Sequence, residues 1–165
     1  MSEQMIAPAQ DAAGADRKRW LALAVLVATQ FMVVLDVAIV NVALPTIKTD
    51  LHFSQESLQW VITAYAILFG GVLLLGGRTA DLLGRRRLFM AGVALLVIAS
   101  LICGLSPSPS ILIGGRILQG VAGALLIPAA LALVIGLFVD EADRNRALAA
   151  WSAIGGVGAT AGLVF

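Results

Sequence analysis

Charge is what this sequence has least of. Only 13% of its 165 residues are charged, against about 25% in soluble domains, and 60% are hydrophobic. That balance excludes a soluble globular protein and indicates an integral membrane protein. A single cysteine, Cys103, rules out a disulfide framework and a cysteine-based metal motif; within its apolar run it reads as a small lipid- or core-facing residue. The single histidine, His52, lies beside Asp50 in a polar connection and reads as a solvated side chain. A net charge of +1, segregated rather than arrayed in a stripe, gives no footprint for nucleic acid. No Gly-x-x-x-x-Gly-Lys-Ser/Thr loop occurs, so ATP is not the expected energy source. Neither a nucleophile–base pair nor a metal-ligand cluster is visible, so neither an enzyme nor a bound cofactor is expected. The first apolar run also exceeds the about 7–15 residues of a signal h-region.

What the sequence does contain is a series of long apolar runs, predicting an all-α, polytopic transmembrane helix bundle. Met1 to Asp16 is polar, Ala-rich and aperiodic, and residues 1–19 are expected to form a disordered tail. Arg17, Lys18 and Arg19 abut Trp20, a cationic anchor beside an interfacial aromatic. The first span is Trp20 to Leu44, ended by Pro45; at 1.5 Å per residue it reaches about 37 Å, enough to cross a core of about 30 Å with tilt. Further spans are expected at about 58–80, 88–105 and 110–138, with a fifth starting at Ala147 and still running at Phe165. Ser54 is placed to cap the second helix. Gly70, Gly71, Gly76 and Gly77 thin that helix, Ser106 to Pro109 form an uncharged turn, and Pro128 bends the fourth span.

Lysine and arginine fall unevenly on the two sides. Arg17–Arg19, Arg78, Arg85–Arg87, Arg144 and Arg146 lie on one side, nine in all, and Lys48 alone on the other. This predicts a cytoplasmic N-terminus in a plasma or inner membrane. Two charges remain inside the bilayer, Asp36 in the first span and Arg116 in the fourth. Each costs about 2.5–3.5 kcal/mol at a helix centre, so such residues are functional candidates. Asp36 lies about 12 Å from Leu44 and Arg116 about 9 Å from Ser110, which puts both at one level in the outer half. A structural ion pair, or Arg116 snorkelling outward, would also account for them. Arg116, Gln119, Gly120 and Gly123 fall at i, i+3, i+4 and i+7, a single helix face. Gly158 and Gly162 form a Gly-x-x-x-Gly pair suited to close helix packing.

Four groups of residues carry a family resemblance. Gly77, Ala80, Asp81, Gly84, Arg85, Arg86 and Leu88 resemble the loop signature between helices 2 and 3 of the major facilitator superfamily. Leu35, Asp36, Asn41, Val42, Ala43, Leu44 and Pro45 resemble the first-helix signature of its drug:proton antiporters, in particular the fourteen-helix branch, with Ala38 where the family usually has Thr. Arg116, Gln119, Gly120, Gly123 and Ala124 are similar to the fourth-helix motif. The Gly155–Gly162 run resembles the antiporter motif of helix 5, with Leu163 in place of Pro.

The resemblance implies part of the N-terminal half of a major facilitator fold, present as an N-terminal fragment. Its partners would be the lipid bilayer, the C-terminal helices of the same transporter, a small-molecule substrate and protons. It implies proton-coupled efflux of small lipophilic or cationic compounds. Asp36, Arg116, Asn41 and Gln119 would serve proton coupling and substrate; Gly77, Asp81, Gly84, Arg85 and Arg86 would form the gating loop; Gly120, Gly123, Gly158 and Gly162 would serve packing. Coupling requires a carboxylate that is neutral in one state and ionised in another, and movement of Arg116 relative to Asp36 would switch its proton affinity. The alternative is a small membrane protein without transport, a decayed product or an assembly partner using its glycine-rich faces.

Overall fold

The computed structural model describes residues 7–164. Among them the chain forms α1 (Ala7–Asp50), α2 (Gln55–Leu83), α3 (Arg85–Gly104), α4 (Pro109–Leu137) and α5 (Glu141–Val164), with no strand among the described residues. Residues 16–50 of α1, together with α2, α3 and α4, are long and apolar enough to cross a membrane.

Two expectations about α1 need correction. Helix begins at Ala7, where a disordered tail was expected; Met1 to Ile6 lie outside the described residues. Alanine and glutamine sacrifice little entropy in a helix, so this segment can extend the one that follows, and Arg19 pairs with Asp16 one turn away. At the other end, Pro45 lies inside the helix rather than ending it. Proline deletes one backbone donor, but the turn beyond it closes without that bond. The helix stops at His52, whose φ of 52° is left-handed, while the Phe53 amide donates to the Lys48 carbonyl at 3.1 Å. That six-to-one bond is a Schellman ending, and Phe53 buries its ring behind it.

The other boundaries follow from local chemistry. Ser54 caps α2, accepting from the Ser57 amide at 3.1 Å. Between α2 and α3 the only break is Gly84, whose φ of 88° suits glycine alone. Pro109 occupies the first turn of α4, where no amide donor is needed. Asp140 caps α5, accepting from the amides of Ala142 and Asp143 at 3.1 and 3.2 Å.

Helix α4 is the centre of the bundle, packed by α2 and α3, whereas α1 packs chiefly on α5. Small residues allow the close approach: Ala122, Ala124 and Ala129 have no exposed surface. Pro128 offers no amide to the Ala124 carbonyl, and α2 turns Gly76 toward that oxygen. A Cβ there would stand 2.3 Å from it, so only glycine lets the two backbones meet. One apolar core joins all five helices through residues such as Leu26, Ala80, Phe89, Leu126 and Trp151. A second, around Phe53, Val61 and Leu112, lies at the end near the α1–α2 connection. The side chains of Leu74 and Leu75 are exposed, as on a surface turned toward lipid.

Candidate functional site

A buried polar cluster sits among these apolar surfaces. Arg116 is 2% exposed and Gln119 equally so, although arginine is almost never so enclosed without a partner. The partner is Asp36: Nη1 of Arg116 donates to its Oδ2 at 2.8 Å, joining α4 to α1. The same nitrogen donates to Gln119 Oε1 at 2.8 Å, and Nε donates to the Val61 carbonyl at 3.2 Å. Gln119 Nε2 donates to Asp36 Oδ1 at 2.7 Å. Each carboxylate oxygen thus has its own donor. The Asp36 side chain keeps 19% exposure, so the pair is enclosed on the arginine side and open on the carboxylate side.

Tyr65 completes the enclosure from α2. Its ring centroid lies 4.4 Å from Arg116 Cζ, a cation–π contact strengthened by burial, and its other neighbour is Phe69, stacked at 5.7 Å. Glycines on α4 make room for it. A Cβ at Gly120 would fall 2.6 Å from the Tyr65 carbonyl oxygen, and one at Gly123 would fall 3.1 Å from its hydroxyl. The face from Arg116 to Gly123 therefore turns inward, its glycines against α2 and its polar groups toward α1.

Asn41 does not join this cluster. It is exposed and donates to the Val37 carbonyl of its own helix at 2.9 Å; one turn and more beyond Asp36, it projects onto another side of α1. There it lines a cavity of about 430 Å³ with Val34, Val37, Tyr65, Phe69 and Ile127. A second cleft, of about 380 Å³, separates α1 from α3 and is lined by Asp36, Thr29, Met32, Val97 and Ser100. Asp36 and the apolar cavity thus open on different sides of α1, with Tyr65 and Arg116 between them.

In the α2–α3 turn, Asp81 and Arg85 approach to 3.9 Å, both exposed. Arg85 also donates to the Ala132 carbonyl of α4 at 3.2 Å. Arg86 and Asp81 are exposed, Gly84 makes the turn, and a Cβ at Gly77 would meet nothing within 4 Å. Gly158 packs α5 on α1, where a Cβ would stand 3.0 Å from Val34. Gly162 lies in the last turns of α5, and its surroundings fall outside the described residues.

Sequence reasoning missed three members of the cluster. Tyr65 is the only tyrosine, a polar-tipped ring within an apolar span, and that was its available signal. Ser100 accepts from Gln119 Nε2 at 3.0 Å, and Cys103 approaches Gln119 Oε1 at 3.3 Å. They stand three apart near the end of α3, whose sequence holds no other hydroxyl or thiol.

Residues 26–165 match the model described as Major Facilitator Superfamily. Among curated proteins, the chain is 49% identical, over 95% of its length, to the puromycin resistance protein of Streptomyces alboniger, covering 32% of that protein. It is 42% identical, over 86% of its length, to the cephamycin export protein of Amycolatopsis lactamdurans, covering 29% of it. A third relative, the lincomycin resistance protein of Streptomyces lincolnensis, is 42% identical over 76% of this chain and 26% of that protein. The chain spans about a third or less of the length of these relatives.

Proposed function

The chain belongs to the major facilitator superfamily, a family of membrane transporters, and on that premise we propose that it is the N-terminal part of a proton-coupled exporter of small lipophilic or cationic compounds. Relatives named for puromycin resistance and cephamycin export support the class of activity. The uneven distribution of lysine and arginine supports a cytoplasmic N-terminus in the cell membrane. Helices beyond this chain would supply the other wall of the pathway, as in transporters with their site at a repeat interface.

The observation that carries the reading is the Asp36–Arg116 pair at 2.8 Å inside the bilayer-spanning region. Arginine cannot shed its proton, so Asp36 is the member able to change charge. When ionised, it holds Arg116 and Gln119 and ties α1 to α4. When protonated, it loses the coulombic attraction, while Arg116 retains the Val61 carbonyl, the Gln119 oxygen and the Tyr65 ring. Because α1 packs mainly on α5, and α4 on α2 and α3, weakening this tie frees one pair of helices to move against the other three. A proton taken up at Asp36 thereby becomes a change in helix arrangement. Tyr65 contacts Arg116 and also lines the apolar cavity, giving a ligand there a route to the pair.

The test is transport by the full-length protein in proteoliposomes, with an imposed pH gradient and a fluorescent lipophilic cation. Export should rise with the gradient and collapse with a protonophore. Flux indifferent to both would refute proton coupling.

A further inference from the structure

The amide of Gln119 has no free hydrogen-bonding position. Nε2 donates to Asp36 Oδ1 at 2.7 Å and to Ser100 Oγ at 3.0 Å. Oε1 accepts from Arg116 at 2.8 Å and from the Cys103 thiol at 3.3 Å. The two charges choose the amide's orientation, because the reverse would set its oxygen against a carboxylate and its nitrogen against a guanidinium. Hydroxyl and thiol serve as donor or acceptor alike, so Ser100 and Cys103 do not choose that orientation; they occupy the second N–H and the second lone pair and fix where the amide stands.

The space for this is specific. A Cβ at Gly115 would lie 2.5 Å from Cys103 Sγ, so α4 has no side chain where the thiol passes on its way to Gln119. Ser100 stands at the open cleft between α1 and α3, which Asp36 also lines, and α3 places no formal charge against the pair. Around Asp36 the titratable neighbours are Arg116 from α4, Tyr65 from α2 and Cys103 from α3; beyond Arg146, α5 has none in its sequence.

We infer that Ser100 and Cys103 are positioning residues for the Asp36 site, acting through Gln119, so that α3 helps set how readily Asp36 takes a proton. The inference rests on the reading of Asp36 as the proton-carrying group. With the amide untethered, its bond to the ionised carboxylate is held less firmly, and protonation is favoured at a given pH. Ser100 faces an open cleft, so its truncation leaves no sealed void and the fold survives.

The test is labelling of Asp36 by dicyclohexylcarbodiimide in the full-length protein as a function of pH, read by peptide mass. The reagent adds to the protonated carboxyl, its carbon bonding to the carboxyl oxygen while the proton passes to its nitrogen. In Ser100→Ala and Cys103→Ala the labelling midpoint should move up by about half a unit to one unit, the loss of one hydrogen bond. Ser100→Thr keeps the hydroxyl and Cys103→Ser replaces the thiol with one, and both should restore the wild-type midpoint. In a Gln119→Leu background, Ser100→Ala should add nothing. An unmoved midpoint in both alanine variants, or the same shift without Gln119, overturns the role of α3 and leaves Asp36 as the proton carrier. Absence of labelling at Asp36 at every pH, with proton-driven export intact, overturns both.

Discussion

Replacing Gly120 by alanine tests the close packing of α2 on α4. The added Cβ would stand 2.6 Å from the Tyr65 carbonyl oxygen and 3.2 Å from Tyr65 Cα. Both obstructing atoms are backbone, so no rotamer change relieves them. Ordinary contact between such atoms begins near about 3.4 Å, so the helices must separate by about 0.8 Å. Overpacking of this kind costs about 1–3 kcal/mol. Gly114→Ala is the control, since Gly114 lies on the same helix and a Cβ there meets nothing within 4 Å. Both substitutions share the gain in helix propensity, about 0.5–1 kcal/mol, and their difference isolates the overpacking. Dodecyl sulfate titration of the full-length protein in mixed micelles, followed by tryptophan fluorescence, measures it. Gly120→Ala should unfold at a lower detergent fraction than Gly114→Ala. Equal midpoints would show that α2 and α4 do not approach at Tyr65, and the enclosure of Arg116 would lose its basis.

Further outcomes follow from the site and the turn. Arg116→Ala removes the counter-charge, two other hydrogen bonds and the ring contact; breaking a buried pair costs about 3–5 kcal/mol, and coupling should be lost, whereas Arg116→Lys keeps a cation and should retain part of both in melting and flux assays. Asp81 lies at the end of α2, where its charge opposes the helix dipole by about 0.3–1 kcal/mol, and Arg85 at 3.9 Å is its described partner. Asp81→Asn in the full-length protein should lower transport while ligand binding stays; equal loss of both would make Asp81 only a folding residue. Reporter fusions after Asp50 and Pro107 should read as external and one after Arg86 as cytoplasmic, and an external signal after Arg86 would reverse the orientation.

Much of this arrangement was legible in the sequence, because hydropathy and charge act along the chain. The four long apolar helices, Ser54 as a cap, and the common depth of Asp36 and Arg116 follow from spacing and a rise of about 1.5 Å per residue. The i, i+3 relation of Arg116 and Gln119 placed them on one face. The motif that contains Asn41 says nothing of helix rotation, so its place was not legible: five positions from Asp36, its side chain lines the apolar cavity and not the polar cluster. Pro45 was read as a stop because proline usually is one, whereas the ending depends on the left-handed His52 and the Phe53 amide. Ser100 and Cys103 were not legible as site residues, since serine and cysteine are ordinary in apolar helices. Their meaning comes from Gln119, sixteen to nineteen positions away, and from Gly115, which leaves the thiol its space.

The central claim is that Asp36 carries the proton exchanged for substrate. Addition of a cationic substrate to the full-length protein in weakly buffered detergent solution, with a pH-sensitive dye, reads that exchange directly. The wild-type protein should release protons on binding. Asp36→Asn should release none, and its binding of cations should weaken more than its binding of neutral compounds. Proton release by Asp36→Asn at the wild-type ratio would place the coupling group elsewhere and return Asp36 to a structural partner of Arg116.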